Sequence, residues 1–314
     1  MRTEPASPRV TVLGSYAKAI VITADRIPLA GETVLGRDYR QEFGGKGSDM
    51  AVQAARLGAR TTFVGVVGTD ALGAEFLELM RDEGVDTTAV RTTSERSTGV
   101  GLIVKDEEGR NVIVVDLGAN ELFSPDDVVA AGGRVTDAAV VLAPLEIPLP
   151  TALHGLSRAH AAGAVTILNP APAARLTGPL EGIDVLTPNQ TEARVLVGRD
   201  PHTDVDNAVI ADELRALGVE NVVITRGEEG VDVFTPDGYL HVLAHVVDVV
   251  DSNGAGDSFS AALAVGLAEG RTLPEAVVFA NAAAALCCER WETVPSYRDR
   301  AAVEALLAST AVTA

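Results

Sequence analysis

Asp251-Ser252-Asn253-Gly254-Ala255-Gly256-Asp257-Ser258-Phe259 separates the strand-like run Leu243 to Val250 from a helical stretch whose apolar residues include Phe259, Leu263 and Leu267. Strand, glycine-rich turn and helix in this order form a unit of α/β architecture. A small turn at a helix start lets successive backbone N–H groups converge on an anion, and the helix dipole adds favourable potential. Asp257 stands where its carboxylate would face that anion. Two negative groups at one helix start make sense if Asp257 takes a proton from a nucleophilic hydroxyl while the turn holds a transferring phosphoryl group. The same residues also fit an ordinary capping aspartate after a flexible turn.

Outward from this stretch, short β-branched runs alternate with amphipathic helical stretches, the pattern of a parallel sheet covered by helices. Val10 to Leu13 reads as the first strand, a helix around Met50 to Leu57 stops at Gly58, and Thr61 to Val67 reads as a strand. Leu72, Phe76, Leu79 and Met80 recur at helical spacing before Gly84, and further strands are expected near 138–143, 165–168, 184–187 and 221–225. Two segments break the rhythm. Residues 15–45 lack a long helical face, and 98–116 read as strands Val100 to Lys105 and Asn111 to Val115 joined by Asp106-Glu107-Glu108-Gly109. Together they form either a small β-sheet lid or edge strands of the main sheet.

The 314 residues, 47% hydrophobic and 22% charged, suffice for a sizeable core. Against 25 Lys and Arg stand 44 Asp and Glu, a formal charge of −19 that opposes nucleic acid or anionic membrane as partner. The two cysteines, Cys287 and Cys288, are adjacent, where a mutual bridge would be strained. No apolar signal core occupies Met1 to Arg9 and no apolar run reaches the length of a membrane helix, so a soluble protein of a reducing, cytoplasmic compartment is expected.

Three further clusters sit at expected strand-to-helix or strand-to-strand junctions. Phe43-Gly44-Gly45-Lys46-Gly47-Ser48-Asp49 is not a Walker A loop, since Arg40 and Gly47 break that pattern, yet its glycines allow close backbone approach to a small ligand. A plain loop-to-helix junction fits equally. Asn189 and Glu192 share one face of a helix start, suited to a hydrated Mg²⁺ near phosphates or to a capping box. Thr225-Arg226-Gly227-Glu228-Glu229-Gly230 reads as a tight turn that either borders a nucleotide or is simply a hairpin. His241 and His245, placed in a β-like run, are expected to be structural, and neither HExxH, CxxC nor Gly-x-Ser-x-Gly is present.

In this order, with Gly14-Ser15, Gly31-Glu32-Thr33-Val34, Ser97-Thr98-Gly99-Val100, Gly118-Ala119-Asn120, Leu145-Glu146, Asn169-Pro170-Ala171-Pro172 and Thr187-Pro188, the chain resembles the ribokinase-like, or phosphofructokinase-B, family of carbohydrate kinases from Val10 to about Ser296. The resemblance implies a three-layer α/β/α fold with a central, mostly parallel sheet: a large domain of 1–14, 46–97 and 117–314, and a β-sheet lid of 15–45 and 98–116. It also implies transfer of the ATP γ-phosphoryl group to a sugar hydroxyl. Asp257 is then the base and Gly254, Ala255 and Gly256 the anion hole. Gly45, Lys46, Asp49 and Glu146 join Asp257 at the sugar, Asn189 and Glu192 organise Mg²⁺ through water, and Asn189, Thr225, Arg226, Gly227, Gly230, Gly256 and Asn281 line ATP. Asp251 and Asn253 match part of a K⁺ loop.

The sequence departs from the family at the sugar. The family's usual Asn-x-Asp after Gly-Ser is Ala17-Lys18-Ala19 here, and the usual Asn after Gly-Lys-Gly-x is Asp49. A sugar or polyol other than D-ribose is therefore expected, with Asp49 replacing the lost carboxylate. Lys18 is read as a surface residue or as a contact for an acidic sugar. Glu292 stands where a glycine is common, which weakens the K⁺ match. The alternatives are a nucleoside kinase of the same family and a catalytically silent sugar-binding regulator. An exposed lid edge predicts a homodimer through the lid.

Overall fold

A computed structural model describes residues 7–108 and 110–311. Gly109 of the expected lid turn and Met1 to Ala6 of the N-terminal stretch lie outside the described residues. The strands are β1 (Arg9–Leu13), β2 (Ala17–Ala24), β3 (Gly36–Gly44), β4 (Arg60–Gly68), β5 (Asp86–Thr93), β6 (Gly99–Asp106), β7 (Asn111–Asp116), β8 (Val140–Pro144), β9 (Val165–Asn169), β10 (Val185–Leu186), β11 (Asn221–Thr225), β12 (Val231–Thr235) and β13 (Gly238–Val242). The α-helices are α1 (Lys46–Arg56), α2 (Ala71–Asp82), α3 (Pro125–Ala131), α4 (Gly133–Thr136), α5 (Leu149–Ala161), α6 (Gln190–Leu196), α7 (Asn207–Arg215), α8 (Ala255–Ala268), α9 (Leu273–Cys287) and α10 (Arg300–Ala311).

Among the described residues, nine strands form one sheet in the order β13-β12-β11-β10-β9-β8-β1-β4-β5, parallel from β11 to β5. The β11–β12 and β12–β13 pairings are antiparallel. Period-2 alternation sends Val10 and Val12 of β1 and Val140 and Leu142 of β8 to one face, and Leu13, Val141 and Ala143 to the other. The first set packs with Met50, Phe76, Phe259 and Phe279 from α1, α2, α8 and α9, the second with Val128, Leu156, Leu196 and Ile210 from α3, α5, α6 and α7. Strands buried on both faces read as continuous apolar runs, which is why the central strands were legible.

The two segments that broke the rhythm come together in a separate four-stranded sheet, β3-β2-β6-β7, and not as edges of the main one. Eight residue pairs, Ala17↔Gly99 through Ala24↔Asp106, join β2 and β6 in parallel and tie the two distant segments.

Three sequence expectations need correction. Leu243 to Val250 is not a strand: β13 ends at Val242, and Val246 is fully exposed. Its β-branched residues have no neighbouring strand to pair with, and β propensity without a partner does not make a strand. His245 accordingly lies in this irregular segment. The first helix begins at Lys46, four residues before Met50. Lys18 is neither a surface residue nor a contact of the cavity: it is 2% exposed, its ammonium lies 2.5 Å from Glu75 of α2, and it sits over the Phe43 ring.

Candidate active site

The strand order reverses at β1, which lies between β8 and β4, and crevices at such switch points are the usual ligand sites of open α/β sheets. Gly14, at the end of β1, and Gly47, in the first turn of α1, let two backbones cross: a Cβ at Gly47 would stand 2.4 Å from Gly14 Cα. This contact brings Lys46 to the crevice. Its N–H donates to Glu146 Oε2 at 2.8 Å, and Ser15 Oγ donates to the same oxygen at 2.6 Å.

Opposite stands the start of α8. Its cap, Gly254, has φ +78°, a left-handed conformation that glycine adopts without steric cost. The first N–H groups of a helix have no intrahelical acceptor; Ala255 N–H donates to Ser252 O at 3.3 Å, Gly256 and Asp257 present the donors there, and a Cβ at Gly256 would meet nothing within 4 Å. Asp257 follows in the same turn, 6% exposed, with Oδ1 lacking a hydrogen-bond partner and 3.6 Å from Lys46 Nζ. Burial pushes its carboxyl up to about 6, Lys46 opposing and the charges of Glu146 and Glu192 adding. Lys46 is in turn held above its ordinary value, chiefly by Asp257. A base poised near neutrality beside open N–H donors is suited to deprotonating a hydroxyl during phosphoryl transfer.

Between these elements and the lid lies a cavity of about 240 Å³. Ala17, Ala19, Gly101, Ile103, Ile113 and Val115 form the apolar part of its lid side and Glu42, Lys105 and Asn111 the polar part, while Gly45, Lys46, Glu146, Gly254, Asp257 and Thr293 lie on the other side. Asp49 is not among the lining residues. It is buried behind Thr293, whose Oγ1 donates to Asp49 Oδ1 at 3.4 Å and to Phe43 O at 3.2 Å. A wider groove of about 810 Å³ shares Lys105, Asn111, Asn253 and Glu292 with the cavity and adds Asp251 and Trp291. Asp251 Oδ1 accepts from Asn253 N at 3.1 Å, and Glu292 has φ +68°.

Of the residues expected at the nucleotide, Asn189, Thr225, Arg226, Gly227 and Gly230 lie at the ends of β10 and β11, while Gly256 lies in α8 and Asn281 in α9. Asn189 and Glu192 form a reciprocal capping box at 2.8 Å each way, and Asn189 bridges to Thr225. Thr225 to Gly230 is the tip of the β11–β12 hairpin, with Gly227 and Gly230 at positive φ. Arg226 turns to Asp232 and Glu229. Asn281 Nδ2 donates to Leu243 O at 2.7 Å and fixes the irregular segment after β13. Among the described residues no three His, Cys, Asp or Glu side chains group as metal ligands, and no helix is long and apolar enough to cross a membrane.

Sequence reasoning missed Thr293, Lys105 and Asn111 of the cavity wall. Thr293 carried no usable signal, since it lies in an irregular segment far along the chain from the residues it meets. Lys105 and Asn111, at facing ends of two expected lid strands, could have been found from hairpin register.

Fold and site define a carbohydrate kinase, and comparison with known proteins agrees. The model of the pfkB family carbohydrate kinases matches residues 7–300. The ribokinase of Bacillus subtilis (strain 168) is 38% identical over 280 residues, covering 88% of this chain and 92% of the relative. The deoxyribokinase of Salmonella typhi is 31% identical over 252 residues, covering 80% and 82%. The structure of Arabidopsis thaliana ribokinase complexed with ribose and ATP has a TM-score of 0.85 at 32% identity, covering 96% of this chain and 99% of that one. The chain belongs to the pfkB family of carbohydrate kinases. It is an ATP-dependent phosphotransferase acting on a sugar hydroxyl.

Proposed function

We propose that the chain phosphorylates a small sugar or polyol other than D-ribose. The observation that carries this is that β2 of the lid turns only the methyl groups of Ala17 and Ala19 to the cavity, leaving Glu42 of β3 and Asn111 of β7 as the carboxylate and the amide on the lid side. Sites built on hydrogen bonds to a hydroxyl discriminate by powers of ten, and removing the partners removes that preference. Asp257 is the base, and the Gly254, Ala255 and Gly256 turn receives the transferring phosphoryl group. Gly45, Lys46 and Glu146 hold the acceptor, with Asp49 behind them. Asn189, Thr225, Arg226, Gly227, Gly230, Gly256 and Asn281 border ATP.

Asn189 and Glu192 are tied to each other's backbone, a donor set that fits a hydrated Mg²⁺ held through water and not a direct ligand cage. The ion supplies positive charge to the phosphates when bound. Asp251 and Asn253 lie at a K⁺ site, to be tested by comparing rates in K⁺ and tetramethylammonium; equal rates exclude activation. The lid comprises 15–45 and 98–116, and its outward Leu102, Val112 and Val114 support a homodimer through it in the cytoplasm. A second reading, a nucleoside acceptor, is favoured by the wide groove with Trp291 that adjoins the cavity. The test is an ADP-release panel of pentoses, deoxypentoses, hexoses, polyols, sugar acids and nucleosides, with Asp257→Asn as control. D-ribose as the best acceptor by kcat/KM overturns the proposal.

A further inference from the structure

Three carboxyl groups, Asp49, Glu146 and Asp257, crowd about the crevice with Lys46 as their nearby cation. Asp49 and Asp257 are 3% and 6% exposed, and among the described residues no lysine or arginine pairs with Asp49. Its side chain accepts a long hydrogen bond from Thr293 at 3.4 Å, with the Tyr297 hydroxyl as a further polar neighbour. The buried Tyr297 hydroxyl beside it lacks a partner in hydrogen-bond geometry. Glu146 accepts two short bonds and Asp257 faces Lys46, partners that Asp49 lacks. Two buried, adjacent carboxylates sharing one cation do not both ionise readily.

From this arrangement we infer that Asp49 carries a proton while Asp257 is ionised, so that the pair presents one negative charge to the acceptor hydroxyl. Asp49 is then a positioning residue. Its O–H has Tyr297 within reach, and its neutrality spares Asp257 a second adjacent charge. It works as an amide-like group and not as a substitute for the missing carboxylate at position 19. The groups that face it are Lys46 on its own helix, Asp257 on α8, Glu146 after β8, Cys287 on α9, Tyr297 near the C-terminal helix and Tyr16 after β1. Burial raises the carboxyl well above its usual range, followed by the charges of Asp257 and Glu146, and both tyrosines and the cysteine are themselves held in their neutral forms.

The role rests on Asp257 being the base, but the proton does not, which separates two tests. In the first, unfolding of wild type and Asp49→Asn is measured in urea from pH 4.5 to 8.5 without ligand. A carboxyl neutral in the folded chain and ionised in the unfolded one costs stability as pH rises above the ordinary Asp value of about 3.9. The folding constant of wild type relative to the variant must therefore fall by about tenfold per pH unit until Asp49 ionises in the folded state. A constant ratio, or one that moves the other way, overturns the proposal. Asp49→Ser, equally without a titrating group, gives the same slope should the asparagine fail to fold. In the second, kcat/KM for the best acceptor of the panel is compared across pH. Wild type must lose activity relative to Asp49→Asn on the alkaline side, and parallel profiles overturn the positioning role. The first result with no turnover on any acceptor leaves the proton in place and refutes the kinase reading.

Discussion

Replacing Lys46 by methionine removes the cation that Asp257 faces at 3.6 Å while keeping most of the side-chain volume. At an effective dielectric of 20, two unit charges at that distance interact by about 4–5 kcal/mol. Solvent entering the space left by the ammonium recovers part of this, and one pH unit corresponds to about 1.4 kcal/mol, so a displacement of about two pH units is expected. As the proposed base, Asp257 must be ionised to accept the proton, and in wild type burial raises its carboxyl to about 6. The acid limb of kcat/KM therefore lies near 6 in wild type and near 8 in Lys46→Met. At pH 7 the variant base is ionised in about a tenth of molecules against about nine-tenths. ADP release at saturating ATP, followed from pH 5 to 9.5, measures the limb independently of any uniform loss in acceptor binding. A variant with depressed activity but an acid limb still at 6 would refute the coupling between Lys46 and Asp257.

The double substitution Ala17→Asn, Ala19→Asp offers hydroxyl partners on the lid side of the cavity and should raise kcat/KM for D-ribose by about two powers of ten; no gain on ribose refutes the specificity argument. Gly47→Ala forces a methyl group onto Gly14 at 2.4 Å and should cost about 1–3 kcal/mol in urea unfolding, with a larger loss of activity because Lys46 rides on the same turn. Leu102→Lys with Val114→Asp charges the outward lid surface, which is half exposed or more at both positions. Light scattering should then give a monomeric mass where wild type gives a dimer; a monomeric wild type refutes the lid interface.

Much of this was legible before any coordinates. β1, β4, β8, β9 and β11 fall where apolar β-branched runs stop at Gly, Pro, Asn or Thr, because strands covered on both faces leave little freedom in their composition. The turn at Gly254 and the buried aspartate beside it were legible because a close-approach turn admits few residue types. Lys18 was misread for the converse reason. Its charge marks it for the surface, and only the arrival of Glu75 and the Phe43 ring makes its burial tolerable. Leu243 to Val250 carried strand propensity with no strand to meet.

The sequence by itself determined the alternation of strands and helices, the glycine turns and the types of group available for phosphoryl transfer, all consequences of local backbone chemistry. Tertiary structure decided which groups meet. Thr293 reaches Asp49 across 244 residues, and Lys46 reaches Asp257 across the crevice. Charge states follow from burial and distance together, and neither is a property of a stretch of chain.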